Sequence, residues 1–476
     1  MSGKTEYLKF KVLNIITTKV NRDYDKLIIK LNKMIRMNKN LVSIVKYEEP
    51  LTSVRKAIEL IDGFERLPID GKIFIKPNLV YWNRHCDFPK WGMLTTSRVV
   101  EDIIKLLKER GVNDISIGDG IITDDPKDKE TPKDAFEKLG YNLLKERYGV
   151  KIYDLFSRPY EKVELTEGLT AKMNADMLHS DFLIDIPVLK THAQCVVSLG
   201  IKNLKGFINV ASRKKFHGAD PKYTLHYNVA QLANKIPESL TLIDGIYTLE
   251  RGPTFDGKAH RSDILVASKD ILSADLVGSN LLGINPSDVP HLVQAAKDRN
   301  RSVDLTDIEI KGESIESLAK PHGWEFIYKR NDTLPLSYAK AGIGGISYPK
   351  YDETMCTFCS FYNGVILVAI KEAWKGEDFD NVEILTGKIK EPTPGMNKTI
   401  LLGQCQYNKN KDNPEINECI PIKGCPPTVE EIKSAMKQAG IRVPSYIFKN
   451  IEKAPLIFLN KYKGKPEFEE KFYQLT

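Results

Sequence analysis

The cysteines in the last third of the chain are spaced in a way that could hold a metal centre. Cys356 and Cys359 form a C-x-x-C pair, which brings two thiolates close together, and Cys405 directly follows a predicted strand. Cys425 precedes two prolines, which have no backbone N–H and stiffen the turn on which this thiol sits. Thiolates that are remote in sequence can share one cofactor once the fold brings strand ends together. We therefore predict a metal centre bound by Cys356, Cys359, Cys405 and Cys425.

An iron–sulfur cluster, of the 4Fe–4S type, is the cofactor that this spacing favours. Zinc ribbons usually use two close pairs of cysteines, and only one pair is close here, so zinc is the alternative. Ordinary thiols or a redox disulfide are the remaining interpretation. Cys419 lies in the polar stretch NPEINEC and is predicted to be the spare thiol.

A second set of residues, in the middle of the chain, could bind and act on an anion. Lys202 and Lys205 lie three residues apart in IKNLKG, where like charges on one helix face repel each other. A carboxylate or phosphate between them would relieve that repulsion. Imidazoles can exchange protons near neutral pH. We predict catalytic roles for Lys190, His192 and His217, and substrate contacts for Lys76, Asn78, Lys202, Asn203 and Lys205; the alternative is that the lysines are solvated and the histidines simply hydrogen-bonded.

These residues fall at the ends of predicted strands in an α/β fold. From residue 41 onward, strands such as KIFIKPNLV, DISIGDG and DFLIDIPVLK alternate with amphipathic helices such as SRVVEDIIKLLKERG. This alternation predicts a mainly parallel sheet with helices on both faces, with ligands bound at the carboxyl ends of the strands.

Composition divides the chain into three parts. Residues 1–40 form a polar, basic extension, residues 41–340 the α/β core, and residues 341–476 a smaller α/β unit and tail that carries the cysteine cluster. In this unit GVILVAI, VEILTG and KTILLGQC are predicted strands. Thr428 and Glu431 have the spacing of a capping box, which predicts a helix start.

The ordered motifs IKPNLV, KTH, IKNLKG and RGPTFDG make the chain similar to the domain of unknown function 362 (DUF362) family, from about Leu41 to about residue 300. Members are commonly described as iron–sulfur cluster-binding proteins, so the resemblance implies a cluster. The chain lacks the C-x2-C-x2-C-x3-C-P run of ferredoxin modules, and the implied cluster would rest on the dispersed C-terminal cysteines. The family has no assigned reaction.

Composition narrows the functional classes. The 476 residues carry a formal charge of +7, which favours anionic ligands without requiring nucleic acid. We expect a cytoplasmic protein without membrane association, because no signal peptide or apolar span is evident. No G-x-G-x-x-G or P-loop motif is present to indicate dinucleotide binding or nucleotide hydrolysis.

The function that these features favour is an iron–sulfur oxidoreductase acting on an anionic small molecule, with a redox partner protein such as a ferredoxin. Two alternatives remain: a non-redox lyase or transferase whose cluster is structural or a Lewis acid, and a cluster-carrying subunit that interacts with a larger complex.

Overall fold

The computed structural model describes residues 39–123 and 128–475, so the basic extension predicted over residues 1–40 lies almost wholly outside the described residues. The strands are β1 (Asn40–Lys46), β2 (Ile73–Pro77), β3 (Ile115–Asp119), β4 (Lys151–Asp154), β5 (Tyr160–Thr166), β6 (Leu169–Asn174), β7 (Phe182–Ile186), β8 (Val188–His192), β9 (Val196–Val197), β10 (Ser239–Glu250), β11 (Lys258–Ser268), β12 (Ile308–Gly312), β13 (Ile346–Ser347), β14 (Val382–Leu385), β15 (Lys398–Leu402) and β16 (Glu418–Ile422). The helices are α1 (Thr52–Glu59), α2 (Ser97–Glu109), α3 (Glu130–Lys138), α4 (Tyr141–Tyr148), α5 (Ala175–Leu178), α6 (Gly200–Asn203), α7 (Val210–Phe216), α8 (Leu225–Leu232), α9 (Ile271–Leu281), α10 (Pro290–Asp298), α11 (Ile315–Leu318), α12 (Leu336–Lys340), α13 (Thr357–Ala373), α14 (Gln404–Asn410), α15 (Val429–Gln438), α16 (Ser445–Lys449) and α17 (Pro455–Leu459).

A large, mostly parallel sheet forms the centre of the molecule. Its strands run in the order β12-β1-β11-β10-β7-β2-β3-β4, with β8 and β9 attached to β10. β11 is antiparallel to both of its neighbours, whereas β2, β3, β4 and β7 pair in parallel. The predicted α/β class is therefore confirmed. The parallel strands β2, β3 and β7 end at one edge of the sheet, where a ligand site is expected.

Helices cover both faces of this sheet, and the strands supply apolar residues to both. In β2, Ile73 and Ile75 belong to one buried cluster and Phe74 to the other, because successive side chains of a strand point to opposite faces. Strands buried on both faces are near-continuously apolar, as KIFI and FLIDI are. This is why the strand positions could be read from the sequence.

The C-terminal unit is a second parallel sheet, of strands β13-β14-β15-β16, with its own apolar cluster. Helix α15 begins as predicted: the Thr428 hydroxyl accepts from the Glu431 backbone, and the Glu431 carboxylate accepts from the Thr428 backbone. The predicted strand GVILVAI is wrong, since it lies in helix α13. A short apolar run is compatible with a buried strand or a buried helix, and here its flanking residues extend the helix.

The polypeptide returns to the core after the C-terminal unit. Tyr462, Phe472, Tyr473 and Leu475 pack in the apolar cluster of the large sheet. The Tyr462 hydroxyl accepts a 2.8 Å hydrogen bond from the backbone of Ala259 in β11. The segment 462–475 therefore packs on the core unit.

None of the helices within residues 39–123 and 128–475 has the combination of length and apolar character that crossing a bilayer requires.

The buried carboxyl group of Asp102 in α2 should make stability depend on pH. One of its oxygens accepts from the Leu51 backbone at 2.8 Å, and the other has no partner among the residues that the structure describes. Burial raises the pKa of this carboxyl to about 6. The folded state thus holds the proton more tightly than the unfolded chain. The contribution of Asp102 to the free energy of unfolding is therefore fully present below about pH 4 and is lost as the pH rises through about 6. For Asp102→Asn we expect unfolding in urea to show a gain approaching about 3 kcal/mol at neutral pH and little gain in acid. Equal pH slopes for the two proteins would contradict this.

Candidate functional site

A cavity of about 530 Å³ opens where β2, β3 and β8 end, between the core and the C-terminal unit. Pockets of this size commonly bind small molecules. The predicted site residues that line it are Lys76, Asn78, His192, Lys202, Asn203, Lys205 and His217. Lys190 lies behind the wall, where its ammonium donates to Asn78 Oδ1 at 2.7 Å and to the Met93 carbonyl at 2.6 Å.

The floor of the cavity is a fully buried ion pair. Lys76 is 0% exposed, and its Nζ lies 2.8 Å from Asp119 Oδ1. The ammonium also donates to Asn203 Oδ1 at 3.2 Å, and Asn78 Nδ2 donates to the same oxygen at 2.8 Å. Gly206 packs directly on this pair: a Cβ at that position would lie 2.3 Å from Asp119 Oδ1 and 2.4 Å from Lys76 Cε. Any larger residue at the last position of IKNLKG would clash with this ion pair, so the close packing requires glycine there.

Asp185 is a second acid beneath the floor. Asn203 Nδ2 donates to its Oδ1 at 2.8 Å, but its Oδ2 has no partner. Burial raises the pKa of this carboxyl to about 7, although the Lys76 charge acts in the opposite direction. At this pKa Asp185 is only partly ionised near neutral pH, so it offsets only part of the lysine charge.

The hydrogen bonds of His217 fix its tautomer. Its Nδ1 lies 2.6 Å from the Glu353 carbonyl oxygen, which can only accept, so Nδ1 carries the proton. The Nε2 atom is then the acceptor of a 2.7 Å hydrogen bond from Lys205 Nζ. Burial and the Lys205 charge keep the pKa of His217 well below its usual value. His217 therefore orients Lys205 Nζ, and burial with the Lys202 charge lowers the pKa of Lys205 well below its usual value.

His192 has the opposite tautomer. The backbone N–H groups of Gln194 and Cys195 donate to its Nδ1, at 3.0 and 3.2 Å, so this nitrogen carries no proton. In the neutral ring Nε2 is then an N–H, and it faces Lys202 Nζ at 3.3 Å. Lys202 can accept that hydrogen bond only as an uncharged amine. Burial, together with the charges of Arg213 and Lys76, lowers the pKa of Lys202, and a lower pKa favours the uncharged amine.

Arg213 is a cavity residue that the sequence interpretation missed. Its guanidinium stacks over Phe156, at 4.7 Å from the ring centroid, and donates to the Gly206 carbonyl at 3.2 Å. It is only 7% exposed and lines the cavity. In the sequence it belongs to the run SRKK, which is typical of a solvated helix face. Only its distance of eleven positions from the KNLKG motif hinted at a shared site.

Cys356, Cys359, Cys405 and Cys425 are near enough to influence one another's ionisation, but within the described part of the chain no three His, Cys, Asp or Glu side chains are close enough together to hold a metal ion. Hydrogen bonding with Cys356, then burial and the nearby thiolates of Cys356, Cys405 and Cys425, raise the pKa of Cys359. A Cβ on Gly403, which precedes the helix of Cys405, would lie 3.7 Å from Cys359 Sγ and also 3.7 Å from the Gly424 carbonyl oxygen.

Cys419 lies apart from this group. Burial raises the pKa of its thiol, and the charged neighbour that acts on it is Lys423 rather than another cysteine. From β16, the edge strand of the small sheet, its backbone pairs with Thr399.

The thiol group and the cavity are neighbours. Cys356 is the residue before α13, and Thr357 and Ser360 of that helix line the cavity. Lys214 Nζ, from the core unit, lies 3.4 Å from Cys425 Sγ. Lys388, from the C-terminal unit, donates to the backbone carbonyls of Lys214 and His217. These contacts across the two units hold the thiols beside the basic wall.

Comparison with known proteins agrees with the motifs. Residues 73–280 match the model of a family described as "Domain of unknown function (DUF362)". The predicted resemblance is confirmed. This DUF362-like region contains all the predicted cavity residues, whereas the four clustered cysteines lie outside it.

Two known proteins are similar to parts of the chain. The Thylakoid-associated protein sll1697 of Synechocystis sp. (strain ATCC 27184 / PCC 6803 / Kazusa) is 25% identical over 252 residues, which are 52% of this chain and 74% of that protein. The lactate racemase apoprotein of Thermoanaerobacterium thermosaccharolyticum aligns with a TM-score of 0.33 and 16% identity, over 51% of this chain and 57% of the racemase. The match thus spans a little over half of the racemase.

Proposed function

We propose that this protein is an iron–sulfur oxidoreductase that acts on an anionic small molecule. The observation that carries the proposal is the position of the thiols: Cys356, Cys359, Cys405 and Cys425 lie together beside helix α13, which forms one wall of the basic cavity. A redox centre next to a substrate pocket is the arrangement that electron transfer to a bound molecule requires.

The donor set fits a cluster better than a single metal ion. Four cysteine thiolates are the usual ligands of a 4Fe–4S cluster, in which each thiolate binds a different iron. A zinc ion needs its ligands gathered around one point. Among residues 39–123 and 128–475, no three His, Cys, Asp or Glu side chains are close enough together to hold a metal ion, so the preference for a cluster rests on the number and type of the donors. A bound cluster would supply one electron at a time at the edge of the cavity.

The charges around the cavity favour an anion. Among the described residues, Lys202, Lys205 and Arg213 line it without a carboxylate partner, whereas the Lys76 charge is already paired with Asp119. Burial lowers the pKa values of Lys202 and Lys205, and a bound carboxylate or phosphate would favour their charged forms and offset the Arg213 charge. Lys205, held by His217, is oriented to donate to the anion.

The pair His192–Lys202 is suited to move a proton. An uncharged Lys202 amine can accept a proton from a bound molecule and, as the ammonium, return it, while the neutral His192 Nε2–H can donate a hydrogen bond to that molecule. Reductions of organic anions commonly combine electron and proton delivery. The same pair would also serve a non-redox lyase, so the decisive test is whether turnover needs a low-potential electron donor.

Anaerobic purification followed by iron and sulfide analysis tests the cofactor directly. We expect about four iron and four sulfide per chain, together with a visible absorption band that bleaches on addition of dithionite. Stoichiometric zinc without sulfide would refute the redox proposal.

Lys202→Ala should weaken anion binding. A lost charge-assisted hydrogen bond of about 1.5–3 kcal/mol corresponds to at least a tenfold higher Kd for inorganic phosphate or acetate, measured by calorimetry. The loss should be larger at low ionic strength, because salt screens the attraction. Lys215→Ala is the control, since it removes the same charge from an exposed position that does not line the cavity. Equal effects of the two variants would place the anion elsewhere.

A further inference from the structure

The cavity has two ends of different chemistry. Its floor carries the lysines, histidines and Arg213 described above. The outer part, toward solvent, is lined by apolar side chains from the core loops, from α13 and from the segment 446–458, among them Phe255, Phe361, Val365, Val368, Ile457 and Phe458. A small inorganic or short-chain anion would fill only the floor.

Helix α13 presents a continuous apolar face to this outer part. Phe361, Val365 and Val368 follow the helical spacing of one face, with Gly364 beside them. A Cβ added at Gly364 would meet no atom within 4 Å, so open space lies against the helix backbone. This absence of a side chain widens the passage from the mouth to the floor.

Apolar side chains are also exposed around the mouth. Val368 is 41% exposed, Tyr446 55% and Ile457 68%, and all three line the cavity. Leu456, next to Ile457, is 45% exposed. A concentration of exposed apolar residues around a concave opening is typical of a site for an apolar ligand.

We infer that the ligand of this cavity is an amphipathic anion, with a carboxylate or phosphate head on the basic floor and an apolar hydrocarbon tail along α13. The inference rests on the proposed function and specifies its substrate class. The charged head explains the buried basic groups, and the tail explains an apolar wall that a small polar anion would leave in contact with water.

Binding of two homologous series to the purified full-length protein tests this inference. One series is acetate, butanoate, hexanoate, octanoate and decanoate, and the other is the alkyl phosphates of the same lengths, each kept below its micelle concentration. Burial of each methylene is expected to lower Kd about fourfold until the tail reaches the mouth. Decanol, which lacks the charged head, should bind far more weakly than decanoate, and the better series identifies the head group.

Matched variants locate the tail. Val368→Asp places a charge on the apolar wall, and Val293→Asp places the same charge at a position of equal residue type and 40% exposure on α10, away from the cavity. Gly364→Leu fills the open space while replacing a helix glycine by a better helix former. We expect Val368→Asp and Gly364→Leu to raise the Kd for decanoate at least tenfold while the Kd for acetate changes little, and Val293→Asp to change neither.

Three results would overturn the inference. Equal affinity for acetate and decanoate would show that no tail site exists, and would leave the proposed function intact, because the iron content and the Lys202→Ala effect test that separately. A chain-length effect that Val368→Asp and Gly364→Leu do not alter would place the tail elsewhere. Binding to phosphatidylcholine vesicles without binding of the free series would make the mouth a lipid-surface contact.

Discussion

Cys425→Ser is expected to remove most of the iron from anaerobically purified protein. Serine keeps the shape of the side chain but is a poor ligand for iron, and Cys425 sits on the stiff turn before two prolines. Iron and sulfide per chain, with the paramagnetic resonance spectrum of the reduced protein, measure the effect.

Cys419→Ser is the matched control for this change. It replaces the same residue type in the same unit, at a position paired with Thr399 in the small sheet and away from the other thiols. Iron content should stay near that of the unchanged protein. Retained iron in Cys425→Ser, or a large loss in Cys419→Ser, would show that the ligand set is wrong.

Asp119→Ala is expected to destabilise the fold by about 3–5 kcal/mol, because it leaves the Lys76 ammonium buried without a counter-charge. Lys76 is 0% exposed, and the Asp119 carboxylate also accepts from the backbone of Leu79 at 2.6 Å. Urea unfolding followed by circular dichroism measures the loss of free energy. Adding Lys76→Met to Asp119→Ala should recover part of it, since the unpaired charge is then gone.

Asp114→Ala provides the comparison from the other end of the same strand. Asp114 directly precedes β3, and its carboxylate lies 2.7 Å from Lys151 Nζ in an exposed ion pair. Exposed ion pairs contribute little to stability, so we expect Asp114→Ala to lower the free energy of unfolding by less than about 1 kcal/mol. If the two alanine variants lose the same stability, burial is not what makes the Asp119 pair important.

The central sheet could be predicted because burial on both faces leaves a clear pattern. KIFI, ISIG and FLIDI are short apolar runs followed by polar residues, and the structure has strands at all three, ending at one edge. Lys76 and Asn78 were predicted as site residues because ligands usually lie where parallel strands end, and both residues line the cavity.

The features that the sequence could not predict depend on long-range packing. The helix at GVILVAI has the same apolar composition as a buried strand, and only its tertiary surroundings decide between the two. The opposite tautomers of His192 and His217 depend on backbone groups, among them the carbonyl of Glu353, far along the chain. Arg213 is buried by stacking on Phe156, a contact that spacing within SRKK does not reveal.

The path of the chain after α17 restricts how the thiol-bearing unit can move. Because Tyr462, Phe472 and Tyr473 are embedded in the core, that unit is an insertion secured at two junctions, not an appendage swinging from one linker. The two junctions restrict hinge motion about a single connection, so we expect a cofactor held by these thiols to stay at a nearly constant distance from a molecule in the cavity. Grafting this unit onto another protein would require that protein to accommodate both chain connections.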